Sequence, residues 1–195
     1  MRLLDRVVDL TYVLDILDNN STLQNVLKGD VVLIEATSNF IDRLTPVLIE
    51  RLTKEKTAIF LLANKGYFDM LPALNNQGVE TGNVFFVDCV SKTQNKTIPN
   101  TGHVIDLESA TQIKSVFSSL LDKTDTFVGS SFVCVDSLNK LIELHPAKDF
   151  AKFLHILLTK LRTKGVGCLL LLTQDEVVDD LRAEILQLFD TVLHF

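Results

Sequence analysis

The chain of 195 residues has no tryptophan, two tyrosines, two methionines, four prolines and three cysteines. Cys89, Cys134 and Cys168 are odd in number and far apart, which excludes a disulfide framework and a zinc cage. All three fall in or beside apolar runs and read as buried, inert thiols. The eight glycines are scattered, and no Gly-x-Gly-x-x-Gly occurs. Only Gly165-x-Gly167 comes near it, and it leads into a strand-like run rather than a helix. Basic residues are outnumbered, 19 to 25, giving a net charge of −6 and a pI near 5.2. That excludes nucleic-acid binding through the overall field. No apolar run exceeds Val166–Leu172, and a bilayer span needs about 20 residues. Asp5 and Asp9 interrupt any signal-peptide core. These absences predict a cytoplasmic protein with no membrane contact, in which the sequons at Asn20 and Asn95 carry no meaning. What is present, 47% apolar and 23% charged residues, is the balance of one ordinary globular domain over 1–195. Residues 1–28 are expected to form a helical segment packed on it.

Five apolar runs punctuate the chain: Val31–Ile34, Ala58–Leu62, Val84–Val87, Phe132–Val135 and Val166–Leu172. None alternates, which is the pattern of strands buried on both faces of a parallel sheet. Thr191–Phe195 alternates like an edge strand, and His103–Asp106 reads as a short extended piece after the polar loop 91–101. Helical spacing appears over 3–17, 22–27, 46–54, 67–75, 108–121, 148–161 and 177–189. Strand and helix in alternation predict an α/β three-layer sandwich with a mostly parallel sheet.

Ligands of such sheets bind at the carboxyl ends of the strands, beside helix N-termini. The first strand and its turn run Val31-Val32-Leu33-Ile34-Glu35-Ala36-Thr37-Ser38-Asn39-Phe40-Ile41-Asp42-Arg43. This segment resembles the start of a RecA-like ATPase core, most closely the KaiC-like branch of the P-loop NTPases. The likeness continues in family order over residues 22–195. Leu61-Leu62-Ala63-Asn64-Lys65 resembles the second strand, Thr81–Cys89 the third, and Phe132-Val133-Cys134-Val135-Asp136-Ser137 the Walker B strand. The resemblance implies a RecA-like sheet flanked by helices, a nucleotide site beyond the first strand, and side-by-side association with a second copy or a related RecA-like subunit.

The departures matter as much. A P-loop, Gly-x-x-x-x-Gly-Lys-Ser/Thr, closes backbone N–H groups around phosphate and adds a lysine. Laid on this turn, the motif puts Ala36 and Ile41 at the glycines, Asp42 at the lysine and Arg43 at the hydroxyl position. Asp42 is expected in the first turn of the helix, where it favours the empty fold and repels anions. Asn64 and Lys65 stand where the branch carries its acidic pair. The sequence therefore reads as a non-catalytic RecA/KaiC-like module for protein interaction or regulation, with no catalytic residue, metal or cofactor. The vestigial nucleotide positions are Thr37, Ser38, Asn39, Asp42 and Asp136. An alternative keeps ATP with magnesium in a rearranged site, Thr37, Ser38 and Asn39 donating and Asp136 holding the metal, completed by a neighbouring subunit.

Other constellations are weaker. His103, His145, His155 and His194 have no ligand spacing. Ser130, Ser131 and Ser137 lack a nucleophile elbow. Asp175-Glu176 reads as a helix start, and Gln174 is a polar strand end. Lys152, Lys160, Arg162 and Lys164 lack the aromatics of a nucleic-acid surface. A phosphoreceiver would use Glu35, Asp88 and Lys123, but Lys123 is not at a strand end.

Overall fold

Seven parallel strands form one sheet in the order β4-β3-β2-β5-β6-β1-β7. They are β1 (Val31–Ala36), β2 (Thr57–Leu62), β3 (Val84–Asp88), β4 (Val104–Asp106), β5 (Ser131–Val135), β6 (Cys168–Thr173) and β7 (Thr191–His194). The architecture comes from a computed structural model that describes residues 10–99, 101–127, 129–174 and 179–195. The helices are α1 (Leu10–Asn19), α2 (Thr22–Lys28), α3 (Ser38–Leu52), α4 (Tyr67–Asn76), α5 (Ile113–Thr126), α6 (Leu138–Glu143), α7 (Ala147–Thr163) and α8 (Asp179–Leu186). Every apolar run of the sequence is a strand of this sheet.

The strands are buried on both faces because each face has its own core. Val32, Ile34, Phe60, Phe86 and Phe132 pack against α1–α4 on one side. Leu33, Ile59, Val87, Val133 and Leu170 pack against α5–α8 on the other. Val13, Leu17, Val26 and Leu27 bring α1 and α2 into the first core. α2 lies so close to the start of β6 that no side chain fits at Gly167. A Cβ there would overlap the Val26 carbonyl oxygen and lie 2.7 Å from its carbon. The turn into β1 uses Gly29 at φ +119°, a left-handed backbone suited to glycine.

Helix boundaries depart from the sequence reading at definite places. α3 starts at Ser38, not Pro46, so Pro46 lies inside it. The ring costs Asp42 its helical N–H partner, but Phe40, Ile41, Leu44, Leu48 and Leu52 bury a continuous face and hold the helix through the proline. α5 begins five residues later than expected, because Ser109 folds back in a turn whose Oγ accepts the Thr111 N–H at 3.1 Å. α6, a helix the periodicity did not show, starts on a Ser137 cap whose Oγ accepts the Lys140 N–H at 3.2 Å. Residues 3–9 of the expected opening helix, and 177–178 of the last one, lie outside the described residues. Among the described residues, no helix is long and apolar enough to cross a membrane.

Candidate functional site

The connections after β2 and β5 leave for opposite faces of the sheet, α4 to one side and α6 to the other. Such a switch point opens a crevice at the carboxyl ends of the strands, the usual ligand site of this architecture. Here Asp136, the residue after β5, fills the crevice. It is buried and faces the β2–α4 connection. Its Oδ1 accepts the Ala63 N–H at 2.7 Å, and its Oδ2 accepts those of Asn64 at 3.1 Å and Lys65 at 3.0 Å. Asp136 was read as a vestigial nucleotide position, holding a metal in the alternative; here it braces the neighbouring connection, and Ser137 caps α6.

From the other side, Asp88 at the end of β3 does the same. It is fully buried. Its Oδ2 accepts the Tyr67 N–H at 2.6 Å and the Ser91 hydroxyl at 2.7 Å. Its Oδ1 accepts the N–H groups of Val90 at 2.7 Å and Ser91 at 2.9 Å. Residues 63–67 are thus clamped between two carboxylates from the flanking strands. A third tie is the ion pair of Lys65 Nζ with Asp42 on α3, at 2.7 Å and half-exposed. Burial pushes the Asp136 carboxyl up to about 6; the backbone N–H groups of Lys65, Ala63 and Asn64 oppose that rise, and the Asp88 charge adds to it.

The expected site residues divide into two groups. Asp42 and Asp136 line one small pocket with Lys65, Asn64, Thr45 and Asp69, of about 40 Å³. That is room for a water molecule and not for a nucleotide. Thr37, Ser38 and Asn39 are exposed at the start of α3, outside that lining. A single residue, Thr37, in extended conformation joins β1 to α3. Positions 38–43 of the P-loop overlay are therefore helical, with no positive φ to turn N–H groups inward. Asp42 is not in the first turn of the helix as expected. It stands in the second, because the helix begins four residues before it.

ATP with magnesium, the group the fold implies, is not matched by these residues. The carboxylate that would take the metal has both oxygens engaged by main-chain donors, and Lys65 faces Asp42 rather than open space. The phosphoreceiver reading also fails on geometry. β1 and β3 are four strand spacings apart in the sheet order, about 19 Å, and Lys123 Nζ lies over the Phe85 ring at 4.3 Å.

Asn139, which sequence reasoning left aside, and Glu35, which it weighed only as a phosphoreceiver acid, complete this edge. Asn139 on α6 pairs with the Thr173 backbone, accepting its N–H at 2.6 Å and donating to its carbonyl at 3.0 Å. Glu35, buried at the end of β1, takes Arg182 of α8 at 2.6 Å and His194 Nδ1 of β7 at 2.8 Å. The signal for Glu35 was available: a carboxylate inside an apolar strand demands partners. Gln174 donates to the Phe195 carbonyl at 3.0 Å. Asp175 and Glu176 lie outside the described residues. Cys89, Cys134 and Cys168 are buried and free, with burial pushing each thiol up. Among the described residues, no group of His, Cys, Asp and Glu could hold a metal ion.

The family model for DUF7504, a family of unknown function, matches residues 36–195. The chain belongs to that family. The fold of this DUF7504 chain is KaiC-like. It superposes on the crystal structure of KaiC-like protein PH0186 from the hyperthermophilic archaeon Pyrococcus horikoshii OT3 with a TM-score of 0.60 at 12% identity, over 86% of this chain and 72% of that one. No curated protein matches the DUF7504 chain in sequence.

Proposed function

We propose that this protein is a non-catalytic KaiC-like domain with a lost Walker A loop, a cytoplasmic module that works by binding a second copy or a related RecA-like subunit. One observation carries the reading: both oxygens of Asp136, the surviving carboxylate of the nucleotide set, are taken by the backbone of the β2–α4 connection. A carboxylate used as a brace is not free for magnesium, and a one-residue link between β1 and α3 offers no cradle for phosphate. The framework that buries both faces of the sheet is intact, which supports a role for the fold itself.

Thermal unfolding with increasing Mg–ATP tests this. The midpoint should not move. Binding to the native state at a hundredfold excess over Kd would add about 2.7 kcal/mol, so a saturable rise would overturn the reading and favour the rearranged site at Thr37, Ser38 and Asn39. Asp42→Lys should leave the fold intact and cost at most about 1 kcal/mol, the value of a half-exposed ion pair. It should not confer ATP binding, because position 42 is a helical residue and the connection before it stays one residue long. Strong ATP binding by that variant alone would mean that the start of α3 already forms a phosphate cradle.

A further inference from the structure

α7 turns Phe150, Leu154, Leu157, Leu158 and Leu161 into the core. Its outer side carries Lys148, Lys152, Ile156 and Lys160, spaced four apart and all exposed. Residues four apart on a helix form a continuous ridge, the one that enters the groove of a second helix in the commonest helix packing. Ile156 stands in the middle of it, 41% exposed. The charges of this ridge serve nothing inside the chain. Arg162, in the last turn, and Lys164, just beyond α7, are paired with Asp190 and Asp125. Among the described residues, Lys148, Lys152 and Lys160 enter no ion pair. Lys160 lies toward the negative end of the helix, but Lys148 stands in the first turn, where the helix dipole opposes a cation. Lys114 of α5 adds a positive charge alongside, its Nζ 5.8 Å from the centre of the Phe153 ring. Against a net charge of −6 for the whole chain, this strip is a local exception.

We propose that the outer ridge of α7 is a docking site for an acidic α-helix of a partner protein. Charge and spacing together select the occupant. A helix with a carboxylate at every fourth residue repeats at about 6 Å, the rise from Lys148 to Lys152. An apolar side chain in the same row then covers Ile156 between the lysines. A nucleic acid fits less well, because its phosphates run on past the strip into the field of an acidic chain, and the ridge offers no aromatic ring for a base. A second copy of this chain fits less well too: of the acids of α1, Asp15 and Asp18, the latter is already held by Arg51. The site goes beyond the module reading and does not require it, since Mg–ATP binding at the strand ends would leave this helix face as it is.

The probe is a fluorescent helical peptide with glutamates four residues apart and a leucine in the same row, titrated with the full chain. Binding should saturate and weaken as salt is raised. Lys148→Glu with Lys152→Glu should weaken it about tenfold, and Ile156→Ser should weaken it several-fold. Lys148→Glu alone should raise the unfolding midpoint slightly, since a carboxylate suits the first turn, so lost binding is not lost fold. A fall in that midpoint would give Lys148 a structural role and overturn the proposal. So would a peptide of the same composition, its glutamates spread around the helix, that binds equally well, or unchanged affinity in the charge-reversed chain. Tighter binding of a single-stranded oligonucleotide at this face would make the occupant a nucleic acid, and a charge reversal that splits a dimer of the chain would make it a second copy; either result overturns the proposal.

Discussion

Gly167→Ala should cost about 3 kcal/mol, the upper end of what overpacking a fixed interior costs. It should lower the unfolding midpoint by roughly 6–12 °C for a chain of this length. The cause is not conformational freedom. The new methyl would enter the space of the Val26 carbonyl, with the Asp30 carbonyl oxygen 3.1 Å away on another side. Neither neighbour is a flexible side chain. Asp30 is tied to β6 by its carbonyl, which accepts the Cys168 N–H at 3.0 Å, and α2 is anchored in the core by Leu23, Val26 and Leu27. Relief requires shifting α2 as a unit off the sheet. Thermal unfolding of the variant checks this, and an unchanged midpoint would show that α2 is not seated where its contacts put it.

Asp136→Ala should cost about 2–3 kcal/mol near pH 4, where the buried carboxyl is neutral, and less at neutral pH. The Ala63 N–H is buried and loses its acceptor outright, whereas Asn64 is exposed and can turn its N–H to water. Asp136→Asn keeps one carbonyl oxygen for these donors and should lose less. The pH dependence reports the burial of the Asp136 charge, which the three N–H bonds only partly offset. With the folded carboxyl at about 6 and the unfolded one near 3.8, the native state binds the extra proton between those values. Stability contributed by Asp136 is therefore fully present below about pH 4 and falls as pH rises to about 6, by about 3 kcal/mol. Denaturant unfolding from pH 4 to 7 should show that decline in the unaltered chain relative to Asp136→Asn. Parallel pH profiles for the two would contradict it.

The strands were legible because burial on both faces leaves continuous apolar runs, and Val31–Ile34 and Val84–Val87 are short and rich in β-branched and aromatic residues. The helix starts were less so. Pro46 is favoured at the first turn of a helix, which concealed the Phe40, Ile41, Leu44 spacing that continues through it. Asp42 was assigned to the first turn by the P-loop overlay, and it stands in the second because α3 already begins at Ser38. The roles of Asp88 and Asp136 were not legible at all. Each acts on a segment distant in sequence, Asp136 on residues 63–65 and Asp88 on Tyr67, and a hydrogen bond of that range depends on the strand order β3-β2-β5. Sequence could place an acid at a strand end; only the order of strands says which connection lies beside it.

The most direct measurement of the central claim is site-specific: backbone amide chemical shifts of Ser38, Asn39, Ala63, Asn64 and Lys65 recorded as Mg–ATP is added. If Asp136 holds the β2–α4 connection and β1 passes into α3 without a loop, none of these amides has a phosphate or a metal-bound carboxylate to respond to, and their shifts should stay fixed. Saturable movement of Ser38 and Asn39 together with Ala63–Lys65 would mean that nucleotide enters the crevice and releases Asp136 from the backbone, contradicting the account.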